Sequence, residues 1–154
     1  MQTQPQLTAH SAGLRLAADA PRLTAINPVH LPELWPEIAD LVAGVVERSR
    51  GRYSNRGVAQ HLMSGDWHLW VVGVDGEIRA IVATELYRDV SGIKCCTIRF
   101  CTGRGSETWT HLLEQIEAWA RADGCVRMDM IARKGWAKRL PDYRLSHVYL
   151  EKKL

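Results

Sequence analysis

The chain has 154 residues, 46% hydrophobic and 24% charged, which is one domain's length with enough apolar content for a core and excludes a disordered or collagen-like chain. No run of about 18 apolar residues occurs, so no membrane-spanning helix is expected. The net charge of +3 is too small by itself to argue for nucleic-acid binding.

Residues 1–21 are rich in Gln, Ala, Thr and Ser and read as an arm outside the domain that occupies 22–154. The arm is too polar to fold alone, so Leu7, Leu14 and Leu16 are expected to bury against a second chain. It lacks a basic segment followed by a long apolar one, so no secretory signal is expected. Leu23–Ile26 reads as a short strand that Asn27-Pro28 ends. Pro32 and Pro36 suit a first helical turn. From Leu34 the apolar residues Leu34, Ile38, Leu41, Val42, Val45 and Val46 follow helical spacing with one buried face. The basic run Arg48–Arg52 with Gly51 closes that helix, and a second one is expected over Asn55–Ser64.

Trp67–Val74 and Ile78–Tyr87 flank Asp75-Gly76, the pattern of a tight hairpin. Ile93–Cys101 gives a third strand after Ser91-Gly92. These runs carry few polar residues, so both sheet faces are expected to be covered. Gly103-Arg104-Gly105-Ser106 opens a long helix with Trp109, Leu112, Leu113, Ile116, Trp119 and Ala120 on its apolar face, and Asp123-Gly124 stops it. Val126–Ile131 reads as a strand, Lys134–Leu140 as a short helix stopped by Pro141, and His147–Leu150 as a final strand.

Cys95, Cys96, Cys101 and Cys125 show neither a CxxC pair nor a Cys/His spacing suited to zinc, so no metal site is expected and the thiols read as reduced and mostly buried. Trp67 and Trp70 fall on opposite faces of one strand, which would put at least one at an edge or interface.

The element order resembles that of the GNAT family of N-acetyltransferases over 22–154. So does the stretch Glu114–Cys125, a long helix running through Ala120-Arg121 to Gly124-Cys125 and a strand, and so does the end Leu150-Glu151-Lys152-Lys153-Leu154. The resemblance implies a single α/β (α+β) domain with a central mixed, mostly antiparallel sheet flanked by helices. It also implies acetyl-CoA, whose pyrophosphate would sit on free amides of an Arg/Gln-x-x-Gly-x-Gly/Ala loop at a helix start. If acetyl-CoA binds, the residues that would hold it here are Cys101, Thr102, Gly103, Arg104, Gly105 and Ser106, in a register that uses Gly103 and Gly105.

The chain departs from the motif. Counting back from Gly124-Cys125, the family's Arg falls on Arg104, its first glycine on Glu107 and its last small residue on Trp109. A carboxylate there would repel pyrophosphate, and an indole would crowd it. The family's pattern Asn-x-x-Ala-x-x-x-Tyr, whose Tyr protonates the leaving thiolate, meets Lys134, Ala137 and Pro141. Tyr143 is then the nearest substitute acid. Glu85, set in an apolar run, is the candidate base, with Asp129 and His147 weaker ones.

The stretch Gly135-Trp136-Ala137-Lys138-Arg139-Leu140-Pro141 resembles short GNAT-like chains of tailed phages and prophages. Two readings stay open. In the first, the chain is a non-catalytic component of a phage or phage-like particle without cofactor, contacting sister copies or other particle proteins through its arm. In the second, it is an acetyl-CoA-dependent N-acetyltransferase with an unusual loop. Either implies the host cytoplasm, the first also the virion. From Arg121 onward nine Lys/Arg face four Asp/Glu. Arg127, Arg133, Lys134, Lys138 and Arg139 would serve phosphate groups, an acidic surface or, as a remote third reading, nucleic acid.

Overall fold

The computed structural model describes residues 20–154, so the expectation for the arm lies almost wholly outside the described residues. Five strands form one sheet in the order β1-β2-β3-β4-β5. They are β1 (Arg22–Ile26), β2 (His68–Val74), β3 (Glu77–Arg88), β4 (Lys94–Gly103) and β5 (Arg127–Met130). The first four pair antiparallel and β5 joins β4 in parallel, so the sheet is mixed. The β2–β3 turn carries positive φ at both Asp75 (53°) and Gly76 (78°), which matches the twist of a two-residue hairpin.

Helices α1 (Leu31–Arg48) and α2 (Asn55–Ser64) cover one face. Ile38, Val42 and Val45 of α1 and Val58 and Leu62 of α2 pack on Leu69, Val71, Ile81 and Phe100. Pro32 stands in the first turn as expected, but Pro36 lies inside α1. Helix α3 (Leu113–Ala122) covers the other face, with Leu113 and Ile116 against Trp70, Val82 and Ile98. The short α4 (Trp136–Arg139) follows β5 and leads to Leu140 and Tyr143, which join the same cluster. Both faces are therefore covered. Trp67 (5% exposed) and Trp70 (7%) do go to opposite faces, yet both are buried, which corrects the edge expectation for that pair. All four cysteines are free thiols.

Two expected elements differ. The helix after β4 does not start at Ser106. Two short 3₁₀ turns, Ser106–Thr108 and Thr110–Leu112, precede Leu113. The amides of Thr108, Trp109 and Leu112 bond three residues back, and Trp109 at φ −133° leaves the helical range as its indole turns into the core. The final strand over His147–Leu150 does not form. Among the described residues β5 pairs with β4 alone, and the tail instead fixes Tyr149 and Glu151 on Arg52. Among the described residues no helix is long and apolar enough to cross a membrane, and no group of three His, Cys, Asp or Glu could hold a metal.

Candidate functional site

The β4–β5 pairing runs from Cys95↔Arg127 to Ile98↔Met130 and stops there. Strand β4 continues to Gly103, bonded to β3 on one side only. Arg99 sits in a bulge, since Ala83 faces Phe100 and Thr84 faces Ile98. The second half of β4 therefore presents an open edge beside the chain that leaves β5. The resemblance to the N-acetyltransferase family implies that a thioester-bearing arm, if one binds, would enter this groove.

Direct contacts span the groove on the α3 face. The indoles of Trp109 and Trp136 meet at 6.4 Å between ring centroids. Tyr143 donates its hydroxyl to Glu117 Oε2 at 2.9 Å, tying the segment after α4 to α3. Cys101 packs between these groups, and burial pushes its thiol up to about 12. The opposite face is also occupied. Tyr53 donates to the Arg99 carbonyl (3.1 Å), and Arg48 Nη2 to Thr102 Oγ1 (2.7 Å). Arg52 holds the tail through Glu151 and stacks on the Tyr149 ring at 4.5 Å.

The candidate acid and base do not come together. Glu85 lies on the α1–α2 face, ion-paired with Arg99, whose guanidinium sits over Trp67. Tyr143 lies on the α3 face, where burial first and the Glu117 carboxylate second push its phenol well above the ordinary tyrosine range. With its hydroxyl donating to Glu117, Tyr143 is poorly placed to protonate a thiolate in the groove. Asp129 accepts from the Tyr87 hydroxyl and pairs with Arg127, while His147 is exposed beside Ser146.

The loop itself keeps part of an anion site. Gly103 is required by packing: a Cβ there would fall 2.3 Å from Ala80 Cβ. Gly105 takes φ +63°. The amides of Arg104, Thr108 and Trp109 are committed to Arg79 O, Gly105 O and Ser106 O. Those of Gly105, Ser106 and Glu107 have no partner among the described residues. Arg79 and Arg104 border a cavity of about 220 Å³ together with Pro21, Val74, Gly105 and Thr108. Arg79 Nε is buried without a partner among the described residues. Trp109 does not crowd this loop, because only 1% of it is exposed and it lies against Val72 and Ala80. Glu107 is six residues ahead of α3 rather than at its first turn, and it reaches Arg139 at 3.8 Å. A diphosphate would fit these amides and arginines better than the sequence implied, but the bridged groove does not fit the arm that would follow it.

Sequence reasoning missed Arg79, Arg48 and Arg52. Each acts across a long sequence separation, and each looks like an ordinary surface charge in the chain.

No protein-family model matches the sequence, and no curated protein matches it. Solved structures do match the fold. One is a ribosomal-protein-alanine N-acetyltransferase from Brucella melitensis, with TM-score 0.63, 13% identity, and 88% of this chain against 98% of that one. Another is an aminoglycoside acetyltransferase from an uncultured soil metagenomic sample, with TM-score 0.62, 12% identity and coverages of 86% and 97%. The fold is that of the GNAT acetyltransferases. A GNAT family acetyltransferase from Staphylococcus aureus matches equally far along the chain, with TM-score 0.59, 12% identity and coverages of 88% and 99%. At these identities the likeness concerns the GNAT fold, and activity must be argued from the site.

Proposed function

We propose that this chain uses the GNAT fold as a packing module and is a non-catalytic component of a larger assembly. The observation that carries the reading is the bridging of the groove by Tyr143–Glu117 and Trp109–Trp136. Opening it would expose Leu140, Cys101 and the two indoles and would break the Tyr143 hydrogen bond. A second support is the separation of Glu85 and Tyr143 onto opposite faces of the sheet. That the assembly is a phage or phage-like particle is supported by the sequence likeness of Gly135–Pro141 alone. An arm reaching sister copies or other particle proteins belongs to the same proposal. Isothermal calorimetry with acetyl-CoA tests the central claim. The expected result is no saturable heat, and a stoichiometric micromolar titration overturns it. Peptide mass spectrometry of purified particles tests the phage part.

One observation favours the alternative, an acetyl-CoA-dependent N-acetyltransferase. The amides of Gly105–Glu107, without partners among the described residues, lie near Arg79 and Arg104 in the segment where that resemblance places the pyrophosphate. On that reading Arg104→Ala abolishes the calorimetric titration, and Glu107→Gly tightens it by removing a negative charge from the anion's neighbourhood.

A further inference from the structure

Among the described residues, seven of the eleven exposed large apolar side chains fall between Val126 and Leu154. The tail 144–154 has no regular structure and no sheet partner among the described residues. It is nevertheless anchored, because Tyr149 and Glu151 both engage Arg52. An extended chain alternates its faces, so Val148, Leu150, Lys152 and Leu154 share the face opposite that anchor. Val148 is 77% exposed, Leu150 87% and Leu154 109%. Apolar side chains concentrated in this way mark a contact surface.

The β1 edge of the sheet offers a matching surface. Strand β1 pairs with β2 alone among the described residues, so its outer edge is open there. Between β1 and α1 lies a groove of about 240 Å³ lined by Ile26, His30, Glu33, Leu34 and Glu37. Neither glutamate is ion-paired among the described residues. From residue 27 to 47 the chain holds four acidic residues and no Lys or Arg, whereas nine Lys/Arg face four Asp/Glu from Arg121 onward.

We propose that the C-terminal segment 145–154 of one copy docks in this groove on a second copy, lying along β1 as an added strand. Leu150 and Leu154 then cover Ile26 and Leu34, Lys152 on the same face meets Glu33 and Glu37, and Lys153 adds its charge from the adjoining position. The five residues Leu150 to Leu154 are enough to pair along the five of β1, each spanning roughly 13 Å between its end Cα atoms. Main-chain bonding to an open edge gives the affinity, and alternate side chains in a groove give the register. The tail is anchored on Arg52, beyond the end of α1, whereas the groove lies at the start of α1 beside Ile26, so the two surfaces are distinct and the contact is head to tail. It propagates into a ring or a filament rather than closing as a two-fold dimer. The inference extends the assembly reading by naming the partner, but it concerns a surface apart from the β4–β5 groove. Self-association and the absence of acetyl-CoA binding therefore fail independently.

Sedimentation equilibrium on the full chain tests it. Expected is concentration-dependent self-association that weakens as salt rises. Glu33→Lys with Glu37→Lys, and separately Lys152→Glu with Lys153→Glu, each weaken it at least tenfold while circular dichroism stays native. An equimolar mixture of the two variants restores it, because a lysine-bearing groove then meets a glutamate-bearing tail and the reverse. The proposal is overturned by a native chain that stays monomeric at hundreds of micromolar, by charge reversals without effect, or by a mixture that does not reassociate. Association that survives loss of residues 145–154 also overturns it and assigns the contact to another surface, such as residues 1–21.

Discussion

The indole N–H of Trp109 donates to the carbonyl oxygen of Arg104 at 2.8 Å. This bond ties the loop after β4 to a side chain that lies wholly in the core against Val72, Ala80 and Leu112. Read as a motif position, Trp109 is a large residue where a small one is wanted. In space it is the peg on which the loop is hung, and it forces the chain through two 3₁₀ turns before α3 begins.

Replacing Trp109 by alanine should therefore cost about 3–5 kcal/mol, the range for an aromatic side chain removed from a core. Trp109→Phe should cost less, since it keeps most of the volume and loses the hydrogen bond to Arg104. Denaturant unfolding of the two variants beside the native chain measures both. Equal midpoints for the alanine variant and the native chain would show that the indole does not carry the packing.

Leu113→Ala should cost about 2–5 kcal/mol by leaving a cavity between α3 and the sheet. Leu113 is 2% exposed and packs with Ile116 against Trp70, Val82 and Ile98. An unchanged thermal midpoint would mean that α3 does not hold this face.

The thiols should be nearly inert in the native state. Cys95, Cys96 and Cys125 are buried, and burial pushes Cys96 and Cys101 up to about 12. At pH 8 a chromogenic aromatic disulfide should react slowly with the folded chain and release four equivalents on unfolding. A rapid equivalent from the native protein would refute this and reveal an accessible thiolate.

The same groups set an alkaline limit. Cys96 and Cys101 rise from an ordinary value of 9 to about 12, through burial, and Tyr87 rises from 10 to about 12 through burial first and its hydrogen bond to Asp129 second. Each group holds its proton more tightly folded than unfolded, so unfolding releases protons in this range. Their stabilisation is complete below the unfolded values and is lost as pH climbs from about 9 to about 12. Urea midpoints should fall steadily across that window, and less so in a Cys96→Ala chain than in the native one. Equal slopes would remove Cys96 from the account.

Much of the fold was legible because local chemistry and periodicity agreed with it. Asp75-Gly76 requires a tight turn, and the spacing Ile38, Val42, Val45 requires a buried helix face. The tail was misread because Val148, Tyr149 and Leu150 have strand character but find no pairing partner among the described residues, and pairing is a property of the whole sheet rather than of the segment. The site was less legible still. Glu85 and Tyr143 are plausible acid–base types, yet residue parity along β3 and the turn at Pro141 place them on opposite faces. Arg79 could not be singled out because its importance comes from a bulge opposite Val72 and Gly73.

The bridge between Tyr143 and Glu117 can be examined on its own. The phenol is partly buried, its hydroxyl donates to a carboxylate on α3, and both facts raise its ionisation above the ordinary range. Tyr143→Phe keeps the ring in the cluster with Leu140 and Trp136 and removes only the hydroxyl, so a loss of about 0.5–1.5 kcal/mol is expected. Tyr143→Ala also removes the ring that helps to close the groove, and its cost should exceed that of the phenylalanine change several-fold. If the bridge is what excludes an acetyl-CoA arm, Tyr143→Ala paired with Trp136→Ala should admit the cofactor to a folded chain, whereas Tyr143→Phe should not. Calorimetry on the three chains, with circular dichroism to confirm folding, separates the cases. Binding that appears already in Tyr143→Phe would mean that the hydrogen bond alone kept the groove shut. No binding in the folded double variant would mean that the loop, with Glu107 beside its amides, is a sufficient barrier by itself.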